Sequence, residues 1–262
     1  MNSLMVSKYV DIDTFVHRLD PRSKLFFSSI YLIITFLSTS ILEFLVLFII
    51  LFGAIYLSKT PIAYIVTSLK LILFLMIFTS LVHIFFNKDG NIIFTLGGYS
   101  LYSGAIYSII LVTARFFLVI AMMTIFTVTT SPNSITNAIE TSFAFLNKLG
   151  INVASFALLM SISLRFIPTI AEETNRIIKA QTSRGARFNK GGLISKAKAF
   201  IPILIPIFVS TLKRADELAT AMEVRGYDPD KSRTRFKQLK YSKWDYVIYL
   251  LILLVAIFII LK

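Results

Sequence analysis

The chain has 262 residues, 56% of them hydrophobic, with 24 phenylalanines and a mean hydropathy of +0.77; it is too apolar for an ordinary soluble domain and belongs to the membrane class. Its formal charge is +13, from 27 basic and 14 acidic side chains, so the useful question is on which side of a membrane the charges lie. With no cysteine, disulfides, thiolate metal sites and cysteine nucleophiles are excluded.

The opening residues, MNSLMVSKYVDID, lack the basic start and apolar core of a cleavable signal peptide. Membrane spans are read as apolar runs long enough to cross about 30 Å of hydrocarbon. The first, Leu25–Ser38, follows HRLDPRSKL, where Asp20 suits a helix cap and Pro21 a first turn. A turn at TSILE leads to the second, Leu42–Leu57, which stops at SKTP. The third is Val66–Phe86, and a polar, glycine-containing loop, NKDGNIIFTLGGYS, separates it from the fourth, Tyr102–Val128. The last residues, YVIYLLILLVAIFIILK, form a fifth, with Trp244 and Tyr246 as interface anchors.

Basic residues orient this bundle. Lys8, Arg18, Arg22 and Lys24 precede the first span, and residues 130–245 hold 18 of the 27. The opposite side receives Lys88 and Lys262. The amino terminus is therefore expected in the cytoplasm and the carboxyl terminus outside.

Between the fourth and fifth spans, a helix is expected from Ser131 as cap and Pro132 in its first turn to Gly150, with Ile135, Ile139, Phe143 and Leu146 as its apolar stripe. INVASFALLMSISLRFIP and AFIPILIPIFVSTL are each apolar enough to resemble spans. If both crossed, residues 165–198, with eight basic and two acidic side chains, would lie outside, against the positive-inside rule. Five spans are preferred to seven. The expected fold is an all-α integral membrane protein: a membrane domain (1–129), a cytoplasmic domain of amphipathic helices (130–243) and a C-terminal transmembrane helix (244–262).

Two Arg-Gly pairs, Arg184-Gly185 and Arg225-Gly226, lie 41 residues apart, each with an alanine four residues before the arginine. Steps of three and four back from Arg184 give Gln181, Ile177, Thr174, Ile170, Ile167 and Ser163; from Arg225 they give Met222, Leu218, Ala215, Thr211, Phe208 and Leu204. Both are mostly apolar or small stripes with coiled-coil-like spacing. The opposite faces hold Glu172, Glu173, Arg176 and Lys179, and Lys213, Arg214, Asp216, Glu217 and Glu223. Thr174, Ala215 and Ala219 are small enough for two such helices to cross closely. Each helix reads as a lever with a charged tip. The simpler reading of one Arg-Gly pair is a glycine helix stop beside an arginine that complements the helix dipole. Another is an arginine holding anionic lipid, a role that needs no glycine. Two matched copies on phase-matched helices favour a paired function.

HRLDPRSKL, TTSP, LRFIPTIAEETNRIIKAQTSRGARF and RADELATAMEVRGYDP together resemble the T component of energy-coupling-factor transporters, ATP-driven importers of micronutrients. Members of that family usually show Ala-Arg-Gly at both tips; here Ser183 and Val224 precede the arginines, which stay in register. The resemblance implies a non-catalytic scaffold in the bacterial cell membrane that binds two ABC-type ATPase subunits and a small substrate-binding membrane subunit. It implies that Arg184, Gly185, Arg225 and Gly226, with Ser183 and Val224, dock the ATPases. Thr174, Ile177, Gln181, Ala215, Leu218 and Met222 would then transmit their motion. No cofactor is expected, since ATP would be bound by the partners; the chain itself lacks the GxxxxGKS/T phosphate loop. No nucleic-acid partner is expected.

Arg115, within the fourth span, is a candidate for intramembrane function, or for a structural contact with a backbone carbonyl or Glu43. His83 is expected as an interface histidine rather than a metal ligand, and no metal site is expected. Arg165 and Pro168 are read as the start of the first arginine helix. Asp228-Pro229 is read as a turn, and KSRTRFKQLKYSK as a cytosolic flank touching acidic lipid. A membrane enzyme would need convergent catalytic groups, which these spans lack. The competing function is a membrane scaffold or anionic-lipid-binding protein that works without an ATPase.

Overall fold

The computed structural model describes residues 9–10, 12–96, 99–150, 152–186, 192–228 and 239–261. Pro229 and most of KSRTRFKQLKYSK lie outside these residues. The chain divides into two compact units, Ser7–Ala138 with Leu239–Lys262, and Met1–Val6 with Ile139–Gln238.

In the first unit, a short helix α1 (Phe15–Arg18) precedes α2 (Pro21–Leu37). Asp20 caps α2, its carboxylate accepting the backbone N–H of Arg22 at 2.8 Å, and Pro21 takes the first position. α3 (Ile41–Ser58) opens with a capping box in which Glu43 accepts the N–H of Ser40 at 3.2 Å and also that of Thr39 at 2.8 Å. α4 (Ile62–Phe86), α5 (Ser103–Thr129) and α9 (Lys243–Ile260) complete the bundle. Tyr31, Ile34, Leu47, Leu51, Leu118 and Ile252 form its centre, where the Tyr31 hydroxyl donates to the Leu47 carbonyl at 3.0 Å.

The stretch read as a loop before α5 contains an antiparallel hairpin, β1 (Ile92–Leu96) and β2 (Tyr99–Tyr102), with Leu96 opposite Tyr99. Gly-Gly between two β-prone runs is a hairpin signal that the reading of this stretch as a loop does not use. The helix read through to Gly150 is two pieces: α6 (Pro132–Ser142) and a 3-10 helix, Ala144–Leu149. Among the described residues, five helices are long and apolar enough to cross a membrane: α3, α4, α5, α7 (Val153–Ser183) and α9. The number matches the sequence reading, but the membership differs by one exchange. α2 has 17 residues, about 25 Å at 1.5 Å each. α7 gains length because the apolar run before Pro168 and the polar run after it form one helix of 31 residues.

The second unit contains the 3-10 helix, α7 and α8 (Leu193–Val224). Asn152 caps α7 by accepting the N–H of Ser155 at 2.9 Å, and Asn147 accepts that of Val153 at 2.9 Å. Pro168 lies inside α7 rather than opening it, and Pro202 and Pro206 lie inside α8. A helix-interior proline removes one backbone donor and crowds the preceding turn. All three prolines are exposed, so each ring faces away from the packed side. α7 packs against α8.

Candidate functional site

The two arginine-bearing helix ends have the same backbone geometry. At the end of α7, the N–H of Gly185 donates to the Thr182 carbonyl at 3.0 Å and that of Ala186 to the Gln181 carbonyl at 3.0 Å. At the end of α8, the N–H of Gly226 donates to the Glu223 carbonyl and that of Tyr227 to the Met222 carbonyl, both at 2.9 Å. These are the paired bonds of a Schellman motif. Gly185 has φ +89° and Gly226 φ +76°, while a Cβ added to either would meet nothing within 4 Å. Glycine is therefore required here by backbone conformation and not by crowding.

Arg184 and Arg225 are the C-cap residues, with nearly equal backbone angles (φ −83°, ψ 7° and φ −84°, ψ 8°). Both side chains are exposed, and neither forms an ion pair or hydrogen bond among the described residues. Ser183 and Val224 are exposed beside them, Val224 at 83%. The Ser183 hydroxyl donates back to the Lys179 carbonyl at 3.1 Å. Each tip thus offers a planar cation with several fixed donors, suited to carboxylates or carbonyls on a partner.

Glu173 of α7 holds two residues of α8. It accepts the Ser210 hydroxyl at 2.5 Å and the Arg214 guanidinium at 3.1 Å. That guanidinium lies 5.7 Å from the Phe166 ring centroid of α7, within cation–π range. Thr174, Ile177 and Gln181 of α7 are half-buried, as are Leu218 and Met222 of α8; Ala215 is exposed. Upstream of Leu218 the more enclosed positions of α8 are Arg214, Ser210, Ile207 and Ile203. A stripe counted at 3.5 residues per turn drifts by about 20° per heptad on a straight helix. Over three heptads that is about 60°, against about 100° between neighbouring residues, and the enclosed positions of α8 step back mostly by four. The stripes counted from the sequence place Glu173 and Arg214 on the outer faces and leave Ser210 out; successive steps of four back from Met222 find both α8 residues.

Arg115, on α5, donates to the carbonyls of Thr35 at 3.2 Å and Ser38 at 2.7 Å. It thereby satisfies carbonyls at the end of α2 that have no partner within the helix. Glu43 is engaged in its capping box.

Similarity to known proteins is consistent along the whole chain. The family model described as cobalt transport protein, CbiQ, matches residues 13–236. The energy-coupling factor transporter transmembrane protein EcfT of Bacillus subtilis (strain 168) is 41% identical over 258 residues, covering 98% of this chain and 97% of that protein. The protein of the same name from Staphylococcus aureus (strain 04-02981) is 38% identical over 256 residues, covering 98% and 96%. That from Lactococcus lactis subsp. cremoris (strain MG1363) is 37% identical over 261 residues, covering 100% and 98%.

Proposed function

Because the chain belongs to the CbiQ family, as an EcfT-type transmembrane component of energy-coupling factor transporters, we propose that it couples two ATPase subunits to a small substrate-binding membrane subunit for micronutrient uptake. It is a multi-pass, non-catalytic membrane component; binding and hydrolysis of ATP fall to the partner subunits. The observation that carries this reading is the pair of matching Schellman ends, each presenting an exposed arginine without an ion-pair partner among the described residues. Two equivalent tips suit two equivalent grooves. When the ATPase pair closes, the tips would move with it, and the Glu173 contacts would pass that motion between α7 and α8. The substrate subunit would answer by releasing its cargo inside.

In this reading the amino terminus and the arginine tips are cytoplasmic, supported by the 18 basic residues between positions 130 and 245. Affinity purification of the tagged chain from its own membrane tests the assignment. Two nucleotide-binding proteins and a small membrane protein are expected to co-purify. A chain that retains lipid but no nucleotide-binding protein would instead be the scaffold without an ATPase.

A further inference from the structure

The membrane unit contains a cavity of about 320 Å³, within the range of roughly 300–1,000 Å³ typical of small-ligand sites. Five elements contribute to its wall, among them α1 through Phe15, α2 through Phe27, α3 through Gly53, α5 through Ile125 and α9 through Leu251. Among the described residues, the polar side chains on the wall are Lys24, Ser28 and Thr129. α9 packs principally on α2. At the rim, Ile49 and Leu57 of α3 and Leu251 of α9 are 71%, 47% and 42% exposed. The cavity therefore opens sideways between α3 and α9, the direction in which a spanning bundle meets acyl chains.

Two features define its occupant. Protein interiors leave few voids larger than a water molecule, and an empty apolar void deprives its lining of partner atoms. Gly53, an exposed residue of the wall, adds no side chain to this one, and a Cβ built there meets nothing within 4 Å. A glycine within a helix weakens it, so the space is not explained by the needs of α3. At one end stands Lys24, 8% exposed, whose ammonium donates to the His17 carbonyl at 3.2 Å and the Thr129 carbonyl at 3.0 Å. An ammonium has three donors, and among the described residues no carboxylate lies within ion-pairing distance of it. The two nearest acids are engaged, Asp20 with Arg22 and Asp245 with the N–H groups of Asp20 and Ser242. An apolar slot ending in a cation complements an amphiphile with an anionic head. We propose that the cavity binds one acyl chain of an anionic bilayer phospholipid, whose phosphate takes the third donor of Lys24. This assignment does not depend on ATPase docking.

The test uses the full chain stripped with a delipidating detergent, then offered phosphatidylglycerol or phosphatidylcholine of equal chain length and examined by native mass spectrometry. The wild type is expected to retain one phosphatidylglycerol and to prefer it to phosphatidylcholine. Gly53→Ala keeps it. Gly53→Leu fills the slot and loses it without lowering the thermal midpoint; Ala54→Leu, on the same wall, replaces that variant if it does not fold. Lys24→Met loses the headgroup preference. A wild type that retains no lipid, or a plugged variant that retains it equally, overturns the proposal. If the wild type is lipid-free and Gly53→Leu instead releases the substrate subunit from a purified complex, the cavity seats that partner and the lipid assignment fails.

Discussion

The carboxylate of Asp245, in the first turn of α9, accepts the backbone N–H of Asp20, the cap of α2, at 3.1 Å. Asp245 is fully buried and also accepts the N–H of Ser242 at 2.7 Å. Around it, Arg22 pairs with Asp20 at 2.9 Å and stacks 3.9 Å over the Tyr241 ring, and Trp244 meets Phe15 edge-on at 5.3 Å. HRLDPRSKL thus ties the beginning of the chain to its last helix. Asp245→Ala would leave the buried N–H of Asp20 without an acceptor, which costs about 1–3 kcal/mol. Asp245→Asn keeps an acceptor and should lose less. Thermal unfolding followed by the single tryptophan, Trp244, reads this directly. An unchanged midpoint in Asp245→Ala would remove the clasp from the account.

Glu173 and Arg214 are each about one-third exposed in their side chains, at 29% and 32%. Their ion pair should accordingly contribute modestly to stability, about 1 kcal/mol or less after screening. Its larger consequence is register between α7 and α8. A double-mutant cycle with Glu173→Gln and Arg214→Met should show positive coupling, and each single variant should hydrolyse ATP in the complex with less uptake per ATP. Additive effects on both readouts would mean that the pair does not link the helices.

At Gly185 and Gly226 only the backbone conformation excludes a side chain. Alanine in a left-handed conformation costs roughly 1–2 kcal/mol, and asparagine less. Gly185→Ala and Gly226→Ala should therefore lower the thermal midpoint more than the asparagine variants. Equal behaviour of alanine and asparagine would contradict the Schellman assignment.

The apolar spans were legible because hydrocarbon thickness sets their length. α3, read as Leu42–Leu57, is Ile41–Ser58, and α5, read as Tyr102–Val128, is Ser103–Thr129. The helix stops at Gly185 and Gly226 were legible for a similar reason, since positive φ selects glycine. The hairpin, the continuity of α7 through Pro168 and the Glu173–Arg214 contact were not. Each depends on tertiary packing or on small phase differences that accumulate along a helix. Arg115 was recognised as unusual from its place in an apolar run, but its partners, the carbonyls of Thr35 and Ser38, belong to a helix 77 to 80 residues away.

The length of α7 makes its side of the membrane a direct test of orientation. The chain has no native cysteine, so Asn189→Cys creates a unique thiol. An impermeant thiol reagent should label it only after the cells are permeabilised, because a loop this basic is retained in the cytoplasm. Labelling in intact cells would contradict the cytoplasmic placement of this loop.

The paired tips are the centre of the account. Arg184→Glu and Arg225→Glu replace multi-donor cations with anions, and loss of one partner in a buried charged contact costs about 2–5 kcal/mol. Each single variant should retain part of its ATPase, held by the other tip. The decisive measurement is the amount of ATPase recovered with the tagged double variant, with uptake followed in parallel. Loss of both ATPase subunits and of uptake is expected, with membrane insertion and the substrate subunit retained. Stoichiometric ATPase and normal uptake in the double variant would exclude docking through the tips and leave the arginines as helix ends alone.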